Sequence, residues 1–292
     1  MNEFLERLRS GEILVADGST GASLHKMGLM PGIPPEELVI DRPEMVLQLA
    51  SGFVTAGSDI ILTDTFGGTR IRMKESKYAH RVAEINARAA GLARQAACAR
   101  AGVMVAGSIG PTGLLMKPYG PLTGDGAIAA FAEQAEALAE GGVDLLVIET
   151  MFALEEADAA FSGARSVSDL PIVVSFSYDR GARTMMGVKP ADMLKHYKEM
   201  GAVMIGANCG TTLENMEQVE REYAVAEPGF PLWIKPNAGL PRLVDGKAVY
   251  DVTPQQIAEY ARKYVALGAR VVGGCCGNLP EHVAAIVKAV KQ

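Results

Sequence analysis

The chain has 292 residues, a net charge of −6, 49% hydrophobic composition and only four cysteines. That size and apolar content suffice to bury a large core. The acidic balance argues against a nucleic-acid or anionic-membrane partner, and the cysteines are too few for a disulfide framework. No apolar run approaches the roughly 20 residues needed to span a bilayer. The opening Met1-Asn2-Glu3-Phe4-Leu5-Glu6-Arg7-Leu8 is amphipathic and charged, unlike a signal peptide. A cytoplasmic, reducing compartment is the expectation, and it would keep thiols free.

Along the chain, eight short β-branched runs alternate with longer helical patterns. The runs are Ile13–Ala16 ending at Asp17, Asp59–Thr63 ending at Asp64, Val103–Ala106 ending at Gly107-Ser108, and Leu145–Ile148 ending at Glu149. Then come Ile172–Phe176, Val203–Cys209, Leu232–Lys235 before Pro236-Asn237, and Val271-Val272-Gly273-Gly274-Cys275. Between them, Asp41-Arg42-Pro43 supplies an N-cap candidate with proline in the first turn. Alanine-rich helical patterns run from about 81 to 100, 126 to 141 and 154 to 164. Lys189-Pro190 opens another helix. Thr211-Thr212-Leu213-Glu214 and Thr253-Pro254-Gln255-Gln256 have capping-box form, and Asn278-Leu279-Pro280-Glu281 resembles one.

Eightfold strand–helix alternation predicts a (β/α)8 TIM barrel, α/β in class, with residues 1–292 forming a single domain. A doubly wound open sheet is the alternative, but no Gly-x-Gly-x-x-Gly turn follows the first strand. The irregular stretch from Met116 to Asp125 reads as a long βα loop. In a barrel, chemistry sits at the C-terminal strand ends. Asp17, Asp64, Ser108, Glu149, Cys209, Asn237, Cys275 and Cys276 all fall there.

Cys209, Cys275 and Cys276 therefore converge on one rim. Neighbouring residues of a regular strand point to opposite faces, so Cys275 and Cys276 can share a metal only where the backbone leaves strand geometry. Gly273, Gly274 and Gly277 make that departure easy. Inert buried thiols and a vicinal disulfide are the other readings; Cys98, within an alanine-rich helix, reads as filler. Soft thiolates select zinc, copper(I) or iron–sulfur clusters, and clusters usually take four cysteines. Three protein ligands leave a zinc ion with an open position, as in catalytic sites. A thiolate-rich zinc makes hydroxide poorly but suits binding a further thiolate. Asp17 and Glu149 form a pair of anions suited to an ammonium group, unless they merely cap the following helices. The amides of Gly18-Ser19-Thr20 could cradle a carboxylate. A thiol-bearing α-amino acid satisfies both features. Asn208 and Asn237 are turn residues or site residues. Asn237 lies between the cysteine strands, where it could reach the metal.

Seven motifs carry a family resemblance: Gly206-Ala207-Asn208-Cys209, Gly273-Gly274-Cys275-Cys276-Gly277, Asp17-Gly18, Thr63-Asp64-Thr65-Phe66, Gly110-Pro111-Thr112-Gly113, Glu149-Thr150 and Pro236-Asn237-Ala238-Gly239. From about residue 11 to 288 the chain resembles the homocysteine S-methyltransferases. These include the homocysteine-binding module of cobalamin-dependent methionine synthase, the betaine-dependent enzyme and S-methylmethionine-dependent enzymes. The resemblance implies Zn2+ on Cys209, Cys275 and Cys276, with homocysteine sulfur as the fourth ligand. It implies that Asp17 and Glu149 hold the substrate amine and Gly18–Thr20 its carboxylate, and that Asn237 approaches the metal when substrate is absent.

Two departures bear on the methyl donor. Asp64 stands where methionine synthase modules usually have asparagine, and a carboxylate beside a thiolate-rich zinc needs a partner or a cation. The chain also carries one barrel, without a folate or cobalamin module or the betaine enzyme's C-terminal extension. The expectation is zinc-dependent methylation of homocysteine to methionine. The expected donor is a separate methyl-corrinoid protein or a methylfolate-linked system. S-methylmethionine, S-adenosylmethionine and a betaine are the alternative donors. A non-catalytic zinc or thiol-amino-acid binding protein, and a barrel hydrolase or lyase with fortuitous cysteines, are the rival classes.

Overall fold

The computed structural model describes residues 2–244 and 247–291. Its barrel strands are β1 (Leu14–Val15), β2 (Ile60–Leu62), β3 (Met104–Ile109), β4 (Leu145–Met151), β5 (Ile172–Phe176), β6 (Met204–Cys209) and β7 (Leu232–Pro236). A hairpin of β8 (Arg242–Val244) and β9 (Lys247–Val249) interrupts the series before the last barrel strand, β10 (Ala269–Val272). The helices are α1 (Glu3–Arg9), α2 (Thr20–Lys26), α3 (Leu38–Asp41), α4 (Pro43–Ala56), α5 (Val82–Ala97), α6 (Gly124–Glu140), α7 (Leu154–Val167), α8 (Pro190–Met200), α9 (Leu213–Ala226), α10 (Pro254–Leu267) and α11 (Pro280–Val290). All pairs in the eight-stranded sheet are parallel, in the order β1-β10-β7-β6-β5-β4-β3-β2. An Ala16–Ile60 bridge and the bonds Asp17 N–H to Ile60 O and Asp59 N–H to Val15 O join β1 to β2, closing the (β/α)8 barrel. No helix among the described residues is long and apolar enough to cross a membrane.

Strand alternation sorts side chains into two cores. Leu14, Ala16, Ile60, Met104, Ala106, Leu145, Val147, Val173, Met204, Trp233 and Val271 fill the barrel interior, and Phe4 of α1 joins them. The opposite parity, such as Val15, Ile61, Val105, Leu146 and Val174, packs beneath the helices. Strand ends differ from the sequence expectation where the polar rim begins. β3 and β4 continue past Ala106 and Ile148, while β10 stops at Val272. Cys275 and Cys276 thus lie beyond the strand, in a turn. Helix starts differ too. Asp41 ends α3 and accepts from the Tyr78 hydroxyl, so Arg42 occupies the N-cap of α4 and makes no side-chain cap bond. Thr253 forms the full capping box, whereas Thr212 makes only its half of one.

Candidate active site

Each inward-facing strand position changes character at the top of the barrel. Above Met104 and Ala106 comes Ser108; above Leu145 and Val147 comes Glu149. Ser175 follows Val173, and Lys235 follows Trp233. The apolar core therefore ends in a buried polar layer on the same parity. Ser108 Oγ donates to Glu149 Oε1 at 2.5 Å, and Ser175 Oγ donates to Asn208 Oδ1 at 2.7 Å.

The three cysteines meet. Cys209 Sγ lies 2.8 Å from Cys275 Sγ and 4.0 Å from Cys276 Sγ, and all three sulfurs fall within 4.8 Å of one another. The thiols are free, and 2.8 Å is well beyond a disulfide bond of about 2.04 Å. Three sulfurs on one tetrahedral ion at about 2.3 Å would stand about 3.8 Å apart, so the cluster fits zinc after a small spreading. Its electrostatics also call for a cation. Hydrogen bonds from Cys209 and Cys275 pull the Cys276 thiol far below its ordinary range, and Cys209 is pushed up by its hydrogen bonds to the other two and by burial. A cation among the sulfurs would favour ionisation of all three together. Cys98, by contrast, is exposed at the end of α5.

Tight backbone geometry aims these sulfurs. Cys209 has φ 59° and Thr150 φ 62°, left-handed conformations that cost about 1–3 kcal/mol each for such residues. Asn208, fully buried, holds both in place. Its Oδ1 accepts from Thr150 N–H at 2.9 Å, and its Nδ2 donates to Thr150 Oγ1 at 2.7 Å. The same Nδ2 stands 3.7 Å from the sulfurs of Cys209 and Cys275. Asn237 ties the two cysteine turns together: Oδ1 accepts from Cys276 N–H at 3.0 Å, and Nδ2 donates to Gly210 O at 2.9 Å. Gly274 must be glycine, because a Cβ there would sit 2.3 Å from Asn278 Cβ.

The sulfurs open into a cavity of about 570 Å³ whose wall includes Gly18, Ser19, Thr20, Asp64, Ser108, Glu149, Thr150 and Lys235. Asp17, Asn208 and Asn237 stand behind that wall. Glu149 is buried and its carboxyl is pushed up to about 7; burial is the main cause and the Cys275 charge adds, against the opposing Lys235 ammonium and Ser108 hydrogen bond. Lys235 Nζ is 2.6 Å from Asp17 Oδ1, with both side chains buried, and Leu62 N–H donates to Asp17 Oδ2 at 2.7 Å. Ser19 Oγ caps α2 through Ala22 N–H, and Ser19 N–H donates to Asn278 O. The Gly18 and Thr20 amides have no partner among the described residues. Gly18 is fixed by packing, since a Cβ would come 2.3 Å from Asn278 O.

Asp64 also lines the cavity; it is buried, and its Oδ2 has no hydrogen-bond partner among the described residues. Burial, reinforced by the nearby Glu36 charge, pushes its carboxyl well above the usual range. Glu36 accepts from Gly67 N–H at 2.5 Å, and the Arg72 guanidinium lies 5.7 Å from the Phe66 ring centroid. The Gly110–Gly113 motif acts at one remove: Glu156 of α7 accepts from both Thr112 N–H and Thr112 Oγ1.

Sequence reasoning missed Lys235, Ser175 and Glu36. For Lys235 a signal existed. It shares the inward parity of Trp233 in an otherwise apolar strand, so its charge must enter the barrel. Glu36 comes from a loop that no periodicity marks.

The homocysteine methyltransferase MmuM of Escherichia coli, in its metallated form, superimposes with a TM-score of 0.83 at 22% identity, over 98% of this chain and 99% of that one. Its oxidised form gives 0.83 at 23% identity, over 99% of each chain. A methyltransferase from Methanosarcina mazei gives 0.59 at 12% identity, over 96% of this chain and 94% of that one. These likenesses establish the fold. The family model described as homocysteine S-methyltransferase matches residues 14–290, and the chain belongs to that family.

Proposed function

We propose that this single-domain barrel methylates the thiol of homocysteine, giving methionine, with Zn2+ held by Cys209, Cys275 and Cys276. The observation that carries the reading is the meeting of three free sulfurs within 4.8 Å at a cavity lined by charged groups fitted to an amino acid. Bound zinc supplies a Lewis acid that lowers the pKa of the acceptor thiol, ordinarily about 8.5, so that a thiolate is present at neutral pH. The protein's own residues orient the acceptor. Glu149 faces its ammonium, with Asp17 contributing charge from behind Lys235. The amides beside Ser19 meet its carboxylate. Asn208 offers an N–H toward the sulfur cluster, and Asn237 keeps the two cysteine turns in register beside the metal. The acceptor sulfur attacks the methyl carbon in line; the new S–C bond forms as the donor–methyl bond breaks, and the donor departs with that electron pair. Holding the reactants in that alignment supplies much of the rate.

A separate methyl-corrinoid protein or methylfolate-linked system is the first donor reading. Exposed apolar side chains on the segments that follow barrel strands support it: Met30 after β1, Leu115 and Tyr119 after β3, Met185 after β5, and Leu240 with Leu243 of β8 after β7, on the end of the barrel where a protein donor would dock. A specific observation favours a second reading. The unpartnered Asp64 Oδ2, with Glu36 and Phe66, fits a small cationic donor such as S-methylmethionine, S-adenosylmethionine or a betaine. Incubating zinc-loaded protein with homocysteine and each donor in turn, with mass detection of methionine, tests both. Methionine from one donor class is expected; binding of homocysteine without transfer from any donor would make the chain a binding protein. The free thiols also fit a cytoplasmic, reducing setting.

A further inference from the structure

The polar layer contains a cation that the reaction does not obviously require. Lys235 follows Trp233 at the inward parity of β7, and its side chain is only 3% exposed. Burying an ammonium is costly unless anions compensate it. Asp17 does so at 2.6 Å, and Glu149 adds attraction. Together they outweigh burial and hold the ammonium above its ordinary pKa.

Three features make Lys235 more than a tie between β7 and the end of β1. First, an ammonium has three N–H donors, and one has a partner among the described residues. Second, Lys235 forms part of the cavity wall while Asp17 does not. The pocket thus meets a ligand with the cation of the pair, and the anion is spent on Lys235 and Leu62 N–H. Third, Asp17 is followed directly by Gly18, so Lys235 is tied to the start of a turn in which the Gly18, Thr20 and Gly21 amides have no partner among the described residues. The two ends of an amino acid then have separate partners. Its ammonium has Glu149, and its carboxylate has Lys235 with the Gly18 and Thr20 amides.

We infer that Lys235 is the carboxylate-binding, specificity-determining residue of the acceptor pocket, selecting thiols that carry a carboxylate. The inference rests on the proposed function, whose acceptor is homocysteine. Lys235 makes its contribution in acceptor binding, so its loss raises KM far more than it lowers kcat.

The test compares homocysteine with 3-aminopropane-1-thiol, which is the same molecule without its carboxylate. Calorimetric Kd values are measured with zinc-loaded wild-type protein, Lys235→Met and Lys235→Arg. Wild type should prefer homocysteine by about 10- to 100-fold, the range of a charge-assisted hydrogen bond. Lys235→Met should lose most of that preference, with the aminothiol bound nearly as before, and Lys235→Arg should keep much of it. Lys235→Gln, which can still hydrogen-bond Asp17, serves if the methionine variant does not fold, and should lose the preference equally. A preference unchanged in either neutral variant, whatever happens to its melting temperature, overturns the inference and leaves Lys235 as a structural tie. Wild-type protein that binds neither thiol would instead sink the acceptor assignment itself, along with this inference.

Discussion

The lower barrel and its rim are built by the same strands on the same parity, yet they do opposite work. Below, Leu14, Met104, Leu145, Val173, Met204 and Trp233 interdigitate with no charge among them. Two to four residues further along, inward positions of the same strands hold Glu149, Asn208 and Lys235, all buried. Burial stabilises the first set by removing apolar surface from water. It perturbs the second set, because ions lose their hydration there and must find partners or shift their pKa. The site is thus the last layer of the core with the chemistry changed, and its reactivity comes from the burial that makes the layer below inert.

The sharpest way to break the comparison is to remove one sulfur. Cys209→Ala should abolish stoichiometric zinc binding and reduce turnover by at least about a thousandfold, since catalysis through the metal needs all three ligands. Melting should change little, because the Cys209 side chain is only partly buried and belongs to neither hydrophobic core. Metal analysis and methionine formation check this together. Full zinc occupancy with undiminished turnover would end the zinc-thiolate mechanism.

The converse change strikes the layer beneath. Trp233→Ala empties the centre of the barrel, where the indole is wholly buried and its Nε1 has no partner among the described residues. Large-to-small changes of this kind cost about 3–5 kcal/mol. Denaturant unfolding should show that loss. Zinc stoichiometry in the folded fraction should persist, because Trp233 belongs to the apolar core of the barrel and not to the sulfur cluster.

What the sequence revealed of this division follows from physics. Strand alternation and the cysteine-glycine turns were legible, since parity and backbone freedom are local properties. The convergence of Cys209 with Cys275 and Cys276 was legible too, because a barrel brings all strand ends to one rim. Lys235 was not singled out, as a lysine near a strand end ordinarily reaches solvent, and only the closed barrel denies it that route. The Asp41 cap failed because Tyr78 and Lys77, distant in sequence, engage its carboxylate. The β8–β9 hairpin and the Phe4 contribution to the barrel core are likewise matters of tertiary context.

A smaller effect sharpens the account of the polar layer. With its carboxyl pushed up to about 7, Glu149 is mainly neutral below that pH and anionic above it. Only the anion holds an ammonium. Methionine is the useful probe, having no thiol to titrate. Its affinity should rise by about tenfold per pH unit at most on approach to pH 7 from below, then level off above it. Glu149→Gln should bind weakly and without that dependence. Stability runs the other way: the raised pKa means that the native state holds this proton more tightly than the unfolded chain does. The contribution is present at low pH and is lost as pH rises from the ordinary carboxyl range through about 7.

The smallest expected effect lies outside both layers. Thr253 accepts from Gln256 N–H, while Gln256 Oε1 accepts from Thr253 N–H, closing the first turn of α10 in the exposed connection that follows the hairpin. Thr253→Ala removes one half of this box and should cost about 1 kcal/mol in denaturant unfolding. Zinc content and methyl transfer should be unchanged, because α10 meets β10 from outside the barrel and bears on the cysteine turn only through the strand. A cap variant that altered acceptor affinity would show that the rim is less insulated from its helices than the division between packed core and polar layer implies.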